Sequence, residues 1–205
     1  MTSGAAAENA RSGDIRFASI DDAWRLADMH AQRINEGFLA SLGPVFLGRL
    51  YRRVVRSPRA FAVVAEEQGR IVAFCAAAEN VGRLYREFMV RDGLVAGVRS
   101  APRLARSLPH VLETLRYPAS TDELPDAEIL AVVTDAGAAS RGWGALVVHE
   151  TLHELERRGC TSVKVVAGAS NTAALRLYER CGFAPTQQIE IHAAVRSQVL
   201  VRATS

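Results

Sequence analysis

Residues 127–159 read AEILAVVTDAGAASRGWGALVVHETLHELERRG, and this stretch decides the fold. Residues 127–134 are largely apolar, which predicts a buried strand. A short loop of small residues follows, and from about residue 142 to residue 158 apolar side chains recur at helical spacing. Gly159 suits the position just after the last turn of that helix. The pattern therefore predicts a strand, a tight loop and a helix in direct succession.

The flanking sequence adds further strands and helices to this unit. A strand at residues 161–166 completes a strand–helix–strand crossover. Apolar runs and alternation predict strands at residues 14–19, 61–65, 71–77, 187–193 and 198–202. Helical spacing predicts helices at residues 24–30, 44–56 and 171–180, with two more between residues 81 and 118. This order predicts an α/β (α+β) fold with a mixed, mostly antiparallel sheet.

The chain is predicted to be one domain behind a short tail. Residues 1–13 are small and polar, which is typical of a disordered segment. Residues 14–205 form the domain, and residues 81–118 form a helical insert within it. With 205 residues, of which 49% are hydrophobic, the chain has enough apolar side chains for one core.

The composition argues against several classes of partner. The 25 basic and 22 acidic residues leave a net charge of +3 and are scattered, so no nucleic-acid binding is expected. No apolar run approaches the ~20 residues of a membrane-spanning helix, so no membrane association is expected. Three widely spaced cysteines without a CxxC pair indicate a reducing cytoplasm and no structural zinc site.

The loop between the strand and the helix is a candidate anion site. The first turn of a helix leaves backbone N–H groups unpaired and carries a partial positive charge. Small residues let a phosphate approach the backbone, and Arg141 can add charge. Two other phosphate motifs are excluded, because the third glycine of a dinucleotide fingerprint would fall on Val147 and no GK[ST] sequence occurs. A tight turn that needs glycine for packing alone is the alternative.

Two motifs at this separation resemble those of the GCN5-related N-acetyltransferase (GNAT) family. Residues 127–159 resemble its central motif without a gap, and Asn171, Tyr178 and Gly182-Phe183 resemble its closing signature. The resemblance implies the family fold and an acyltransferase that uses acetyl-CoA. One departure is Ala139, which stands where the family usually has Gln or Arg.

The resemblance also implies roles for individual residues. Acetyl-CoA is expected to lie beside the central strand with its pyrophosphate on the following loop, which gives the cofactor-binding residues Val132, Val133, Thr134, Ala139, Ser140, Arg141, Gly142, Trp143, Gly144 and Asn171. A second expected role for Asn171 is to cap the helix that follows, and the two roles are not exclusive. Tyr178 takes the position of the general acid that protonates the departing thiolate. Glu128 is the first candidate for the base that deprotonates the amine, with Glu190 and His192 as alternatives.

The expected function is transfer of an acetyl group from acetyl-CoA to the amine of a small molecule by direct attack. An amino sugar is among the candidate acceptors. A domain of the same fold that binds or senses CoA without catalysis is an alternative, which the departure at Ala139 keeps open. The protein is expected to be a monomer or a homodimer.

A zinc hydrolase is the second alternative, because His149, Glu150 and His153 form an HExxH sequence. Two histidines four residues apart share one face of a helix, as zinc binding requires. The spacing of apolar residues nevertheless places both histidines on the polar side, since the predicted buried stripe consists of Ala145, Val148, Leu152 and Leu155. We therefore expect no metal.

Overall fold

The structure of the protein, a computed structural model, describes residues 14–34, 43–88, 90–91, 124–191 and 195–204. These residues form seven strands, β1 (Asp14–Phe17), β2 (Ala60–Glu67), β3 (Arg70–Ala78), β4 (Glu128–Thr134), β5 (Ser162–Gly168), β6 (Ala184–Ile191) and β7 (Val195–Ala203). They also form five α-helices, α1 (Ala23–Arg33), α2 (Pro44–Arg56), α3 (Val81–Phe88), α4 (Trp143–Arg157) and α5 (Thr172–Arg180). None of the helices in these ranges is long and apolar enough to cross a lipid bilayer.

The strands form one sheet in the order β1-β2-β3-β4-β5-β7-β6. Every neighbouring pair is antiparallel except β4 and β5, which are parallel. Helix α4 connects these two parallel strands, as a crossover requires. The predicted α/β class with a mixed, mostly antiparallel sheet is confirmed.

Most predicted elements are present, and their bounds differ by a few residues. The helix predicted at residues 44–56 is α2, which begins with Pro44 at a position where a missing N–H costs little. Strand β6 begins earlier than predicted, at Ala184, because its ladder with β7 extends to the pair Ala184–Val201. The first helix of the predicted insert is α3. The second one and the predicted tail at residues 1–13 lie outside the described residues.

Apolar side chains fill both faces of the sheet. One core cluster joins the buried side of α4 to β2, β3 and β5, and we call this the α4 face. The other cluster joins α1 and α2 to the opposite side of β2, β3 and β4, and we call this the α1–α2 face. Alternation along β3 shows the division, because Cys75 belongs to the α4 face and Phe74 to the α1–α2 face.

A bulge in β4 turns its side chains over midway along the strand. Ala77 pairs with Ile129 and Ala76 with Ala131, so Leu130 is the extra residue on β4. Ile129 therefore packs on the α4 face and Ala131 on the α1–α2 face. Residues two apart in a regular strand would share a face. The bulge thus sets which side chains of the second half of β4 point toward α4.

Candidate active site

Strands β4 and β5 separate soon after they begin to pair. Among the described residues their ladder consists of Glu128 with Lys164 and Ile129 with Val165. The remainder of β4, as far as Thr134, has no β5 partner in that ladder. An interior strand normally pairs the backbone N–H and C=O groups of each edge with a neighbouring strand. Because β5 does not pair with this part of β4, these groups are available to a ligand. We call the space between residues 130–134 of β4 and residues 166–168 of β5 the slot.

The bulge decides where the three predicted strand residues point. Val132 packs against the cluster on the α4 face. Thr134 lies beside α4 as well, since its Oγ1 is 3.3 Å from the position that a Cβ would take at Gly144. Val133 is buried in the cluster on the α1–α2 face. Two of the three side chains therefore lie on the α4 side of the slot and one on the opposite side.

The loop between β4 and α4 has the backbone geometry of an anion site. A 3₁₀ turn at Ala136–Ala138 leads to Ser140 with a φ of 61° and Gly142 with a φ of 90°. Where residues with a positive φ alternate with residues that have a negative φ, successive backbone N–H groups point toward one place. The Leu146 N–H donates to the carbonyl of the N-cap residue Gly142 at 3.1 Å, which is the first hydrogen bond within the helix. The amides of residues 143–145 are left for a ligand, and the helix dipole favours a negative one.

Gly144 lets the first turn of α4 come close to β4 and α5. A Cβ at this position would lie 3.3 Å from Thr134 Oγ1 and 3.5 Å from Leu177 Cδ2. These distances leave no room for a branched side chain without a shift of the helix. The glycine therefore keeps the helix N-terminus at the open end of the slot.

Exposure varies along the loop, and its tryptophan is buried. Ala139 and Ser140 are exposed. The Trp143 side chain is 4% exposed and belongs to the core on the α4 face. Its Nε1 has no hydrogen-bond partner among the described residues. Trp143 thus anchors the helix start through its side chain and offers a ligand its backbone amide.

Arg141, the one basic residue of this loop, already has a partner. Its guanidinium forms two hydrogen bonds to the carboxylate of Glu67 at the end of β2, and Nη1 donates to Oε2 at 2.8 Å. Hydrogen bonding to Arg141 lowers the pKa of the Glu67 carboxyl. The positive charge that the sequence places in the loop is therefore partly neutralised by a neighbouring hairpin.

Asn171 caps α5. Its Oδ1 accepts a hydrogen bond from the backbone N–H of Ala174 at 3.0 Å. This bond satisfies one of the free N–H groups at the start of the helix. Of the two roles expected for Asn171, the described structure shows the helix cap.

Tyr178 lies on α5 with its ring in the core on the α4 face. The ring meets that of Phe183 edge to face, with centroids 5.7 Å apart. Burial raises the pKa of the Tyr178 hydroxyl, and the nearby thiols of Cys75 and Cys181 raise it further. Cys75 pairs with Val132 across β3 and β4, so this neighbour places Tyr178 near the strand residues that border the slot. A raised pKa keeps the hydroxyl protonated, which is the form that a general acid needs.

Glu128 begins β4 and forms an ion pair with Lys164 at 3.5 Å. Burial raises the pKa of the Glu128 carboxyl, and the charge of Lys164 opposes this rise. Lys164 also donates to the Pro125 carbonyl and is 3% exposed. Glu128 pairs with Ala78, which belongs to the cluster on the α1–α2 face. Its side chain therefore lies on the face opposite to Tyr178.

The HExxH residues lie on the exposed side of α4. His149, Glu150 and His153 are all exposed, as the helical spacing predicts for the histidines. The buried side of α4 is wider than the predicted stripe and includes four further residues, Trp143, Val147, Thr151 and Glu154. Ala145, which was predicted to be buried, is half-buried. In the part of the chain that the structure describes, no group of three or more His, Cys, Asp or Glu is arranged to hold a metal ion.

Sequence reasoning missed the partners of two site residues. Lys164 is the only lysine in the chain and interrupts the apolar run of β5, and this signal was available. A lone charge in a buried strand requires a counter-charge on an adjacent strand. Glu67 gives no such signal, because it lies 74 residues before Arg141 in the sequence, at the end of β2.

Comparison with known proteins decides the family. The model of the Acetyltransferase (GNAT) family matches residues 25–183. The chain belongs to this family. The matched range includes the slot, the loop and Tyr178, and the resemblance inferred from residues 127–183 is confirmed.

Two curated relatives of this GNAT protein are acetyltransferases. Mycothiol acetyltransferase of Nocardia farcinica is 37% identical over 73 residues, which are 36% of this chain and 24% of that protein. The [ribosomal protein bS18]-alanine N-acetyltransferase of Salmonella typhimurium is 35% identical over 60 residues, which are 29% of this chain and 40% of that protein. The matches span less than half the length of either relative.

Solved structures share the fold over nearly the whole chain. The ribosomal-protein-S18-alanine N-acetyltransferase of Escherichia coli aligns with a TM-score of 0.62 at 13% identity and covers 94% of both chains. NAA60 of Arabidopsis thaliana in complex with acetyl-CoA aligns with a TM-score of 0.62 at 16% identity, over 94% of this chain and 98% of that one. At these identities the likeness establishes the GNAT fold.

Proposed function

We propose that this GNAT protein is an acetyl-CoA-dependent N-acetyltransferase that acts on the amine of a small molecule. The observation that carries the proposal is the slot between β4 and β5, which opens beside the anion-binding loop of α4. An extended molecule with a phosphate group fits this combination, because the strand edge offers backbone hydrogen bonds and the helix N-terminus offers positive charge. Solved structures of the same fold, NAA60 and yncA of Salmonella typhimurium, contain acetyl-CoA, which supports this ligand.

The proposed binding mode uses backbone groups more than side chains. The edge of β4 at Val132, Val133 and Thr134 pairs with the arm of the cofactor. The amides of residues 140–145 hold the pyrophosphate, and Arg141 adds a positive charge that Glu67 partly neutralises. Ala139 supplies no side-chain contact, which makes these amides the main source of affinity.

The proposed reaction places an acid and a base on opposite sides of the slot. The amine nitrogen attacks the thioester carbonyl carbon while Glu128 accepts a proton from the amine, directly or through water. The C–N bond forms, the C–S bond breaks with its electron pair on sulfur, and Tyr178 donates its proton to that thiolate. Backbone N–H groups on the free edge of β4 stabilise the negative charge that develops on the carbonyl oxygen.

The acceptor, the compartment and the assembly belong to the same proposal. One relative is named for mycothiol and the other for the alanine of a ribosomal protein, so acceptors differ among relatives of this chain. We propose a small-molecule amine, an amino sugar among the candidates, and a monomer or homodimer in the cytoplasm. Three free cysteines support a reducing compartment.

Thiol release from acetyl-CoA tests the proposal. Incubation of the protein with acetyl-CoA and a panel of amines (glucosamine, ethanolamine and alanine amide among them) is expected to release free CoA with at least one amine. Tyr178→Phe should lower that rate about 100-fold. Titration calorimetry with CoA should give the same affinity for both proteins.

Three other outcomes would contradict the proposal. CoA binding without turnover of any amine would favour the sensing domain. Absence of CoA binding would overturn both readings. Stoichiometric zinc in the purified protein, found by elemental analysis, would favour a hydrolase that uses His149 and His153.

A further inference from the structure

A buried histidine–tyrosine pair joins α1 to α2. His30 is 2% exposed, and its Nδ1 lies 2.7 Å from the hydroxyl of Tyr51, which is 3% exposed. The two rings meet edge to face with centroids 5.8 Å apart. The other ring nitrogen of His30, Nε2, is buried and has no hydrogen-bond partner among the described residues. A buried polar atom without a partner costs stability, so its retention requires an explanation.

The imidazole of His30 is neutral at physiological pH. Burial lowers its pKa to about 4. A neutral imidazole has one N–H and one lone pair, and Tyr51 occupies one of them at Nδ1. Nε2 therefore offers one uncharged hydrogen bond, as a donor or as an acceptor according to the tautomer.

The pair lies over the half of β4 that borders the slot. The Tyr51 ring packs edge to face on Phe74, with centroids 5.4 Å apart. Phe74 pairs with Val133 across β3 and β4, and Val133 lies in the part of β4 beyond Ile129, the last β4 residue that pairs with β5. All three belong to the core cluster on the α1–α2 face. The pair thus approaches β4 from the face opposite to α4, whose N-terminus carries the anion-binding loop.

We propose that His30 Nε2 binds a hydroxyl group of the acceptor, so that the preferred substrates are amines with a hydroxyl group near the amine. This inference rests on the proposed acetyltransferase function. With the cofactor loop on the α4 side, an acceptor reaches the thioester from the α1–α2 face, to which Tyr51 and its partner His30 belong. A hydroxyl can donate and accept, so it suits either tautomer. A carboxylate would have to lose its hydration beside a neutral ring, which is unfavourable.

The experiment compares two amines that differ by one hydroxyl group. Thiol release from acetyl-CoA is measured with 2-aminocyclohexanol and with cyclohexylamine. We expect the kcat/KM of wild type to be about tenfold higher with 2-aminocyclohexanol than with cyclohexylamine. This ratio corresponds to the loss of one hydrogen bond when the hydroxyl group is absent. His30→Leu should remove this preference and should retain turnover of cyclohexylamine.

Three controls separate recognition from folding. His30→Leu with Tyr51→Phe leaves no unpaired hydroxyl at Tyr51 and should show the same lost preference with a recovered melting temperature. His30→Gln keeps a hydrogen-bonding group and should retain part of the preference. His149→Leu alters an exposed histidine on α4 and should change neither quantity.

Each outcome has one meaning. Absence of thiol release with every amine tested overturns the proposed function, and this inference with it. Turnover of both amines at equal kcat/KM by wild type overturns the inference alone. A preference that persists in the folded His30→Leu protein also overturns it, because the hydroxyl is then recognised elsewhere.

Discussion

A bidentate ion pair joins Arg141 of the anion-binding loop to Glu67 at the end of β2, although the two residues are 74 positions apart in the sequence. Arg141 stands between Ser140 and Gly142, the two left-handed residues of that loop. Its guanidinium therefore contributes less charge to the loop than the sequence suggests, because a carboxylate lies against it. Glu67 competes with any phosphate group for the same cation.

Glu67→Gln should tighten CoA binding, because it removes a competing negative charge from Arg141. We expect a change of about two- to fivefold, the scale of an exposed ion pair. Isothermal titration of CoA at low salt measures it, and the gain should shrink as salt is added. Arg141→Gln should weaken binding in both the wild-type and the Glu67→Gln background.

A matched control for this prediction is Glu156→Gln, which makes the same charge change at an exposed position near the far end of α4. It should leave CoA affinity unchanged. If Glu67→Gln instead weakens CoA binding as much as Arg141→Gln does, Glu67 positions Arg141 for the ligand and does not compete with it.

The sequence predicts the crossover well because its signals are local. Helical spacing after residue 142 and the apolar run at residues 127–134 depend on near neighbours, and both elements are present. The positions of Tyr178 and Asn171 follow from the family motif, and the Asn171 cap follows from the chemistry of its side chain.

The sequence predicts the contacts of the site poorly because these join distant segments. The bulge at Leu130 has no glycine or proline to mark it, yet it decides that Val132 lies on the α4 face and Val133 on the α1–α2 face. The same holds for the pair of His30 and Tyr51, which two helices bring together. Pairings of this kind depend on the packing of whole elements, which periodicity does not encode.

Gly144→Val should disrupt the cofactor site. A Cβ at this position lies 3.3 Å from Thr134 Oγ1, so a branched side chain pushes the helix N-terminus away from the open end of the slot. We expect the affinity for CoA to fall at least about tenfold, with a loss of about 1–3 kcal/mol in the free energy of unfolding. Gly137→Ala is the control, because a Cβ there meets no atom within 4 Å. Normal CoA affinity in Gly144→Val would show that this close approach does not set the site.

Asn171→Ala should remove the cap of α5. Its side-chain oxygen satisfies the Ala174 N–H, so we expect the free energy of unfolding to fall by about 0.5–2 kcal/mol in urea titrations. Asn171→Asp keeps an oxygen at the same place and should cost much less. A loss of CoA affinity in both variants, without a loss of stability in Asn171→Asp, would show instead that the amide nitrogen contacts the cofactor.

Acid should destabilise the protein through His30. Its pKa falls from 6.5 to about 4 on folding because the imidazole is buried, so the unfolded chain binds the proton more readily. The stability that depends on a neutral His30 is fully present above pH 6.5 and is lost progressively as the pH falls toward 4, by ~3 kcal/mol. Urea titrations at several pH values measure this slope.

The matched variants are His30→Gln, which should flatten that slope between pH 6.5 and 4, and His149→Gln, which alters an exposed histidine and should retain it. Asp22 contributes at a lower pH, since its hydrogen bonds with Arg16 lower its pKa to about 2. The stability due to Asp22 is lost as the pH falls from about 4 toward 2. An equal slope in wild type and His30→Gln would mean that His30 does not control the acid response.

Lys164→Met should shift the pH dependence of turnover. Burial raises the pKa of Glu128, and the charge and hydrogen bond of Lys164 oppose that rise, so removal of the Lys164 ammonium should raise the pKa further. If Glu128 is the base, the acidic limb of kcat/KM moves to higher pH by about one to two units, as expected for a lost charge partner. Turnover of one amine between pH 5 and 9 measures the shift, and Lys164→Arg, which keeps the charge, should leave the limb near its original place. If the acidic limb stays in place in a folded Lys164→Met protein, the base is another group or water. The same conclusion follows if Glu128→Gln retains the acidic limb of the wild-type profile.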